Sequence, residues 1–307
     1  MTPEQAYKSA KIGKISWKDA IEIFKKDPEV SFEYAKTLDA RFIEAEEYIA
    51  TNAEYSWAYA INILKDRFKI AEETISKDAK FAFYYARNII RGRFERAEKT
   101  ISENPQYALE YARDVIKGRF PIAEPAIANS EYAYHYAYDV VGKRWEEAES
   151  EIAKSPRQSV LYAKNILKNR FLQAEDNIKK DENSVYHYAL EVINGRFLEA
   201  EEYLNSSFIA VKYAKDVIKG RFHEAEKYIV KSLTDSYEYI DSVIKDRWTE
   251  AEPFILNGKK NSLHYCIKHK VRMPEEIHNK ILSEIAFGGK FANLELKKAY
   301  ISTVGKL

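Results

Sequence analysis

An arginine and an aromatic residue, followed by two variable positions and Ala-Glu, recur nine times along this chain of 307 residues. Successive arginines lie 25 or 26 residues apart, a period typical of solenoids built from helix-turn-helix units. Such units bury their apolar faces against their neighbours, so the sequence predicts tandem copies rather than globular domains. Each copy is named here by its arginine: Arg41, Arg67, Arg93, Arg119, Arg144, Arg170, Arg196, Arg221 and Arg247.

The pattern weakens at both ends of the array. Ser16-Trp17 and Arg272-Met273 keep the spacing but lose the consensus, as terminal copies do when one side faces solvent. We therefore predict an all-α fold, an α-solenoid (superhelix) of about ten helix-turn-helix copies with degenerate caps. Its expected divisions are an N-terminal cap at 1–15, the tandem repeats at 16–275, and a C-terminal helical cap at 276–307 with two helices around Gly288-Gly289.

A second pattern, Tyr-Ala-x-x-apolar-apolar, precedes the arginines, and its apolar positions share one face of an α-helix. This first helix is expected to start at prolines such as Pro28, Pro105 and Pro156, where a missing N–H costs nothing. Its end is predicted at the residue before the arginine, because the residue types found there tolerate the left-handed backbone that closes a helix. These residues are Gly92, Gly118, Gly195, Gly220, Asn169, Asp66 and Asp246.

The second helix of each copy is predicted to run from the aromatic residue to an apolar residue three beyond the glutamate, such as Ile49 or Ile75. Pro125 and Pro253 fall inside this segment, where proline removes a hydrogen bond and clashes with the preceding turn. In those two copies the second helix is therefore expected to be kinked or to open with a 3₁₀ turn.

The recurring arginine and the glutamate five residues later have two interpretations. They are either a row that binds anions or, as we favour, a ladder of ion pairs that holds neighbouring copies together. The recurring tyrosines are either platforms for stacking bases or, since alanine follows them on the apolar face, core residues whose hydroxyls reach a polar partner. They are Tyr34, Tyr59, Tyr85, Tyr111, Tyr136, Tyr162, Tyr188, Tyr213, Tyr239 and Tyr265.

Known catalytic signatures are missing from the sequence. It contains no nucleophile elbow, phosphate-binding glycine loop, HExxH pair or dinucleotide fingerprint. The single cysteine, Cys266, lies near His264, His269 and His278, but their spacing matches no zinc pattern. We therefore expect a protein that is not an enzyme, with no catalytic residues, no cofactor and no metal.

Function in a solenoid usually resides where the copies differ. The exposed side of the first helices is predicted to carry a basic stripe, although the net charge is only +1. Cations in the last helical turn, such as Lys65 and Lys245, are explained by the helix dipole, whereas those in mid-helix are not and are therefore the stronger candidates for binding. The predicted binding stripe consists of Tyr84, Arg87, Arg91, Arg113, Lys117, His135, Tyr138, Lys164, Lys168, His187, Lys212, Lys215 and Lys219.

The segments YARDVIKGRFPIAEPAI and YAKDVIKGRFHEAEKYI resemble a short helical repeat of uncharacterised proteins from bacteriophages and other viruses. The resemblance covers residues 16–272 and implies a repeat scaffold of viral origin. It brings no activity, cofactor or catalytic residue. The chain is also similar to HEAT and TPR solenoids, although its period is shorter than theirs.

These observations favour an interaction scaffold that binds another protein, and the viral resemblance implies inhibition or sequestration of a host factor. The alternative is a solenoid that binds nucleic acid along the basic stripe, with tyrosines and histidines stacking on bases. No apolar run has the length of a signal peptide or a membrane span, so we expect a cytoplasmic protein, in the host cytoplasm if viral, with no membrane partner.

Overall fold

The structure is a computed structural model that describes residues 1–287 and 292–305. Within these ranges the chain forms helices and the turns that join them, in regular pairs, which confirms the all-α solenoid repeat. The predicted Gly288-Gly289 junction lies outside the described residues. Contacts divide the chain into two compact units, one containing Met1–Lys154 and Asn165–Leu167, the other Ser155–Lys164 and the described residues from Lys168 onward.

In the first unit, first helices alternate with shorter second helices. The first helices are Pro3–Lys11, Pro28–Leu38, Ala53–Tyr59 with Ala60–Leu64, Ala79–Tyr85 with Ala86–Ile90, Pro105–Tyr111 with Ala112–Ile116, and Ala133–Tyr136 with Ala137–Val141. The second helices are Trp17–Phe24, Ile43–Ala45 with Glu46–Ile49, Lys69–Ala71 with Glu72–Ile75, Glu95–Ala97 with Glu98–Ser102, Pro121–Ala123 with Glu124–Ala128, and Glu146–Ile152.

The second unit repeats this alternation. Its first helices are Pro156–Tyr162 with Ala163–Leu167, Glu182–Tyr188 with Ala189–Ile193, Ser207–Tyr213 with Ala214–Ile218, Leu233–Tyr239 with Ile240–Ile244, and Lys260–His269. The end of the first of these, Asn165–Leu167, is grouped with the first unit. Its second helices are Leu172–Ala174 with Glu175–Ile178, Leu198–Tyr203, His223–Ile229, and Thr249–Ala251 with Glu252–Ile255. Two further helices, Glu275–Phe287 and Leu294–Val304, end the described chain.

The ends of the helices follow the sequence signals in part. Pro28, Pro105 and Pro156 stand in the first turn of their helices, as predicted, and Asp27, Asn104 and Ser155 cap these helices with their side chains. The second helices that contain Pro125 and Pro253 open with a 3₁₀ turn, which confirms that expectation. The same turn also opens copies without proline, so the Phe-x-x-Ala-Glu segment itself favours it.

A π-helical segment ends most first helices, and the sequence analysis did not predict it. In a π turn each N–H bonds five residues back, so the turn contains one more residue than an α turn. In the copies with a π segment the arginine stands eight positions after the tyrosine, as Arg119 does after Tyr111. In the Arg41 and Arg272 copies the arginine stands seven positions after the tyrosine, and the first helices are α-helical throughout. This spacing therefore encodes the π turn.

The left-handed residue that closes each first helix lies two positions before the arginine, so the prediction of Gly92 and Gly118 for this role is wrong. Arg91 and Lys117 have φ values of 56° and 57°. Gly118 instead donates its amide hydrogen to the carbonyl of Ala112 at 3.1 Å, the bond that follows a left-handed residue in a Schellman motif. The correction also applies to the other predicted residues, Gly195, Gly220, Asn169, Asp66 and Asp246.

A hydrogen-bonded trio joins consecutive copies. Arg93 donates from Nε and Nη2 to the two carboxylate oxygens of Glu98, each at 2.7 Å. Tyr111, in the first helix of the next copy, donates its hydroxyl to Glu98 Oε1 at 3.0 Å and accepts the amide hydrogen of Phe94 at 2.7 Å. The arginine and glutamate thus pair within one copy, and the tyrosine makes the connection that we had assigned to the ion pair.

The same trio recurs in both units. In the second unit, Arg221 and Glu226 pair at 2.8 Å, and Tyr239 bonds both Glu226 and the amide of Phe222. Further linking tyrosines are Tyr59, Tyr85, Tyr136, Tyr188, Tyr213 and Tyr265. The predicted core role of these tyrosines is confirmed by their burial. Because the arginines are bound to glutamate, they do not form a free row for anions.

The degenerate Arg272 copy keeps part of this connection. The amide of Met273 donates to the hydroxyl of Tyr300 at 2.9 Å, as the aromatic amides do elsewhere. The buried His278 approaches the same hydroxyl with Nδ1 at 2.9 Å, in place of the missing glutamate. The C-terminal helices therefore end the array by supplying a substitute tyrosine.

We expect Tyr111→Phe to lower the free energy of unfolding by about 1–3 kcal/mol, because the buried Glu98 carboxylate and Phe94 amide lose a shared partner. Urea unfolding followed by circular dichroism measures the change. The matched control is Tyr138→Phe, whose side chain is 52% exposed and should change stability by less than about 0.5 kcal/mol. Equal effects of the two substitutions would contradict the assigned role of Tyr111.

The trio also predicts how stability depends on pH. Hydrogen bonds from Arg93 hold the pKa of Glu98 below its usual value against the effect of burial, and burial raises the pKa of Tyr59 to about 12. Stability contributed by the glutamate is present above its unfolded pKa of about 4.3 and is lost as pH falls through the lower folded value. Stability contributed by the tyrosine is present below about pH 10 and is lost as pH rises towards 12.

Glu98→Gln tests this dependence. The variant should be less stable than the parent chain at pH 7, and the difference should shrink below about pH 4 as the parent carboxylate is protonated. Urea midpoints between about pH 3 and pH 7 measure it. A difference that stays constant over this range would show that the Glu98 charge does not stabilise the fold.

Candidate functional site

Two arginines of the predicted stripe, both in mid-helix, form ion pairs between copies of the first unit. Arg87 Nη1 lies 3.5 Å from Asp114 of the next copy, and Arg113 Nη1 lies 3.8 Å from Asp139 of the copy after it. Arg113 Nε also donates to Asp114 at 2.9 Å. These cations, which the sequence marked as the strongest candidates for binding, are thus engaged within the protein.

Cations of the second unit are engaged in the same way. Lys164 Nζ lies 2.6 Å from Glu191 of the next copy, and His187 Nδ1 contacts the same carboxylate at 2.9 Å. Burial would raise the pKa of Glu191, but the hydrogen bonds from Lys164 and His187 outweigh it and lower that pKa. Lys212 Nζ stands over the ring of Tyr186, 4.5 Å from its centre. Lys215 is exposed and, among the described residues, forms no ion pair.

The acceptors of these contacts share a position that the sequence analysis missed. It lies five residues before the arginine and holds a polar residue in every copy from Arg67 to Arg247. Its partners include Tyr186, which donates to Asp216 at 2.7 Å, and Tyr134, which accepts from Asn165 at 3.0 Å. A polar residue at one fixed position in each of these copies, directly before two apolar residues, is the signal that could have revealed a second ladder between copies.

The aromatic members of the stripe have neighbours on their faces. Tyr84 is half-buried, and Trp57 and Tyr107 lie 5.6 and 6.4 Å from it between ring centres. Tyr138 is stacked on Tyr134 at 5.9 Å. His135 is exposed and its ring lies 5.3 Å from that of Tyr134. A base would have to compete with these contacts, which weakens the support for base stacking.

The cations at the left-handed position, two residues before each arginine, have a different environment. They are exposed, and no ion pair, hydrogen bond or ring contact joins their side chains to any other described residue. We call them the left-handed cations: Lys65, Arg91 and Lys117 in the first unit, and Lys168, Lys219, Lys245 and Lys270 in the second. Arg91, Lys117, Lys168 and Lys219 belong to the predicted stripe, and Lys270 was missed because its copy lacks the consensus.

The fold does not require a cation at this position. A left-handed backbone costs a residue with a Cβ atom about 1–2 kcal/mol, whereas a cation at a helix C-terminus gains about 0.3–1 kcal/mol from the helix dipole. The stabilisation from the helix dipole is therefore smaller than the cost of the left-handed backbone. Gly142 and Asn194 occupy the same position in other copies, so the turn forms with an uncharged residue as well.

The region around Cys266 shows no sign of a metal centre. Burial raises the pKa of the Cys266 thiol to about 12, which keeps it protonated at neutral pH. The ring of His269 packs at a tilt against that of Tyr265, with 4.6 Å between ring centres, and His278 contacts Tyr300. Within 1–287 and 292–305, no group of three or more histidine, cysteine, aspartate or glutamate side chains is placed to hold a metal ion.

Comparisons with known proteins do not assign a function to this surface. The chain matches no family model, no curated protein and no solved structure. In the described parts of the chain, no helix has the length and apolar character needed to span a membrane.

Lys117→Gly is expected to raise the free energy of unfolding by about 0.5–1 kcal/mol, since glycine adopts the left-handed backbone without the cost of a Cβ atom. Gly142→Ala, at φ 67°, should lower it by about 1 kcal/mol although its Cβ would meet open space. Gly118→Ala is the matched control, because this neighbour also lies in open space but has no left-handed φ. Urea unfolding of the three variants measures these changes, and a loss of stability in Lys117→Gly would refute the assignment of strain.

Proposed function

We propose that this chain is a non-enzymatic scaffold that binds another protein. The residues that recur in the copies are used in contacts within the fold, as in the trio, where Arg93 holds Glu98 in its own copy and Tyr111 of the next copy binds the same glutamate. The outward positions differ from copy to copy. A rigid framework with a variable exterior is the arrangement by which solenoids present extended binding surfaces.

The observation that carries the proposal is a set of large apolar side chains exposed at the start of the second helices. They are between 58% and 71% exposed, and each lies in the 3₁₀ segment that follows the buried aromatic residue. Exposed apolar residues in the same segment of five copies favour contact with a protein rather than with phosphate groups. We call them the turn apolar residues: Ile43, Ile70 and Ile122 in the first unit, and Leu172 and Leu198 in the second.

Nucleic acid is the second candidate partner, and the left-handed cations are the observation that favours it. Proteins that bind single strands combine such cations with aromatic platforms for the bases. Here Tyr84 and Tyr138 already contact other rings, so we rank this candidate second. A host factor inhibited by a viral protein remains our proposal for the partner's identity, and it is supported by the sequence resemblance alone.

An affinity pull-down of the tagged full-length chain, with and without nuclease, tests the proposal. We expect mass spectrometry to identify a protein whose recovery is unaffected by nuclease, because apolar contacts do not depend on bound nucleic acid. Replacing the five turn apolar residues by serine should abolish this recovery. The matched control replaces Ile12, Ile23 and Leu38, which are exposed outside these turns, and should retain it. Recovery that collapses with nuclease would instead favour nucleic acid.

A further inference from the structure

Three consecutive copies of each unit carry a left-handed cation. In the first unit these are Lys65, Arg91 and Lys117, and in the second Lys219, Lys245 and Lys270. The C-terminal segments of consecutive first helices are in contact from Ala60–Leu64 to Ala112–Ile116 in the first unit, and between Ala214–Ile218 and Ile240–Ile244 in the second. In the last pair of the second unit, Lys268 of the helix Lys260–His269 lies 3.6 Å from Asp241. The cations of one unit therefore follow one another along the same end of the first helices.

The spacing of these cations limits what can contact all three. Packed helices lie about 8–10 Å apart, so neighbouring cations are expected at about that separation. A segment in the polyproline II conformation rises about 3.1 Å per residue with three residues per turn, so every third side chain lies on one face at intervals of about 9 Å. Carboxylates at every third residue of such an extended segment would thus meet one cation per copy.

The backbone also limits the direction of these side chains. The left-handed residue ends the helix, and where glycine follows it the glycine amide folds back to the helix, as Gly92 does to Ala86 and Gly118 to Ala112. The backbone of the cation is therefore fixed at the edge of the first helix. A cation with a fixed backbone loses less conformational entropy on binding than one in a mobile tail.

We propose that the three consecutive left-handed cations of each unit bind an extended acidic segment of a partner protein, with one carboxylate per copy. This inference rests on the proposed function and names the chemistry of the partner. An exposed ion pair is weak by itself, but three pairs formed by one segment act together. Removing three cations should accordingly weaken binding by about tenfold to a hundredfold.

The probe is a fluorescent synthetic peptide of about twenty residues, with glutamate at every third position between glycine and serine. Fluorescence anisotropy with the full-length chain measures its affinity at low and at moderate salt. We expect binding that weakens with salt and that is several-fold tighter than for a peptide of equal composition with clustered glutamates. Equal affinity for the two peptides would overturn the spacing of one carboxylate per copy.

Two sets of variants locate the contact. Glutamine at all six positions should reduce peptide affinity at least about tenfold. Glycine at the same positions should reduce it equally while stabilising the fold, so the loss cannot be attributed to unfolding. The matched control places glutamine at Lys69, Arg96 and Lys99, two lysines and one arginine on second helices of the first unit. It is compared with the variant that has glutamine at Lys65, Arg91 and Lys117. The control should keep the peptide affinity that this variant loses.

The remaining outcomes are decisive as well. Peptide binding that survives in the glutamine variant, or no binding by the parent chain, would overturn the inference. Tighter binding of single-stranded DNA of equal charge, lost in the same variants, would assign the cations to nucleic acid. None of these peptide results decides the proposed function. That function is tested separately, by whether replacing the turn apolar residues abolishes capture of the partner protein.

Discussion

The connection between copies that share the consensus depends on one carboxylate that is bonded from both sides, and Glu98 is a buried example. Glu98 takes two hydrogen bonds from Arg93 of its own copy and one from Tyr111 of the next, and the same tyrosine oxygen accepts the amide of Phe94. A buried carboxylate without these donors, or a buried amide without an acceptor, would destabilise the fold by several kcal/mol. The trio is therefore satisfied only when the next first helix lies in one register, and this explains why the arginine, glutamate and tyrosine recur while their neighbours vary.

Fixing the tyrosine also determines how the first helix ends. The tyrosine is held by the previous copy, and the arginine eight residues later begins the trio with the next one. The chain between them has one residue more than an α-helix needs, so it forms a π turn and closes with a left-handed residue. Where the spacing is seven residues, as from Tyr34 to Arg41, the helix stays α-helical. The unusual helix is thus a consequence of the anchors at its two ends.

The sequence predicted what depends on local pattern and missed what depends on contacts between copies. The period, the proline starts and the buried tyrosines follow from periodicity and helix-end preferences, and all of them are present. Glycine favours a left-handed backbone, which is why the sequence predicts Gly118 for it, yet the left-handed residue is Lys117, two positions before the arginine as in the copies without a π turn. Arg87 and Arg113 are not explained by the helix dipole of their own copy, because their partners Asp114 and Asp139 belong to the following copies. A mid-helix charge could not be classified without knowing which residue the next copy places beside it.

A fold made of copies allows its own residues to serve as controls for one another. Where the framework needs a chemical group, the group recurs, as the glutamate does at Glu46, Glu72 and Glu98. Where it does not, the residue type changes, as at the left-handed position, where Lys117 is followed by Gly142 in the next copy. A lysine there loses more from the backbone than it gains from the helix dipole, and it has no partner among the described residues. The reason for a cation at this position therefore lies outside the framework, and the binding of an acidic partner segment is the reason that we propose.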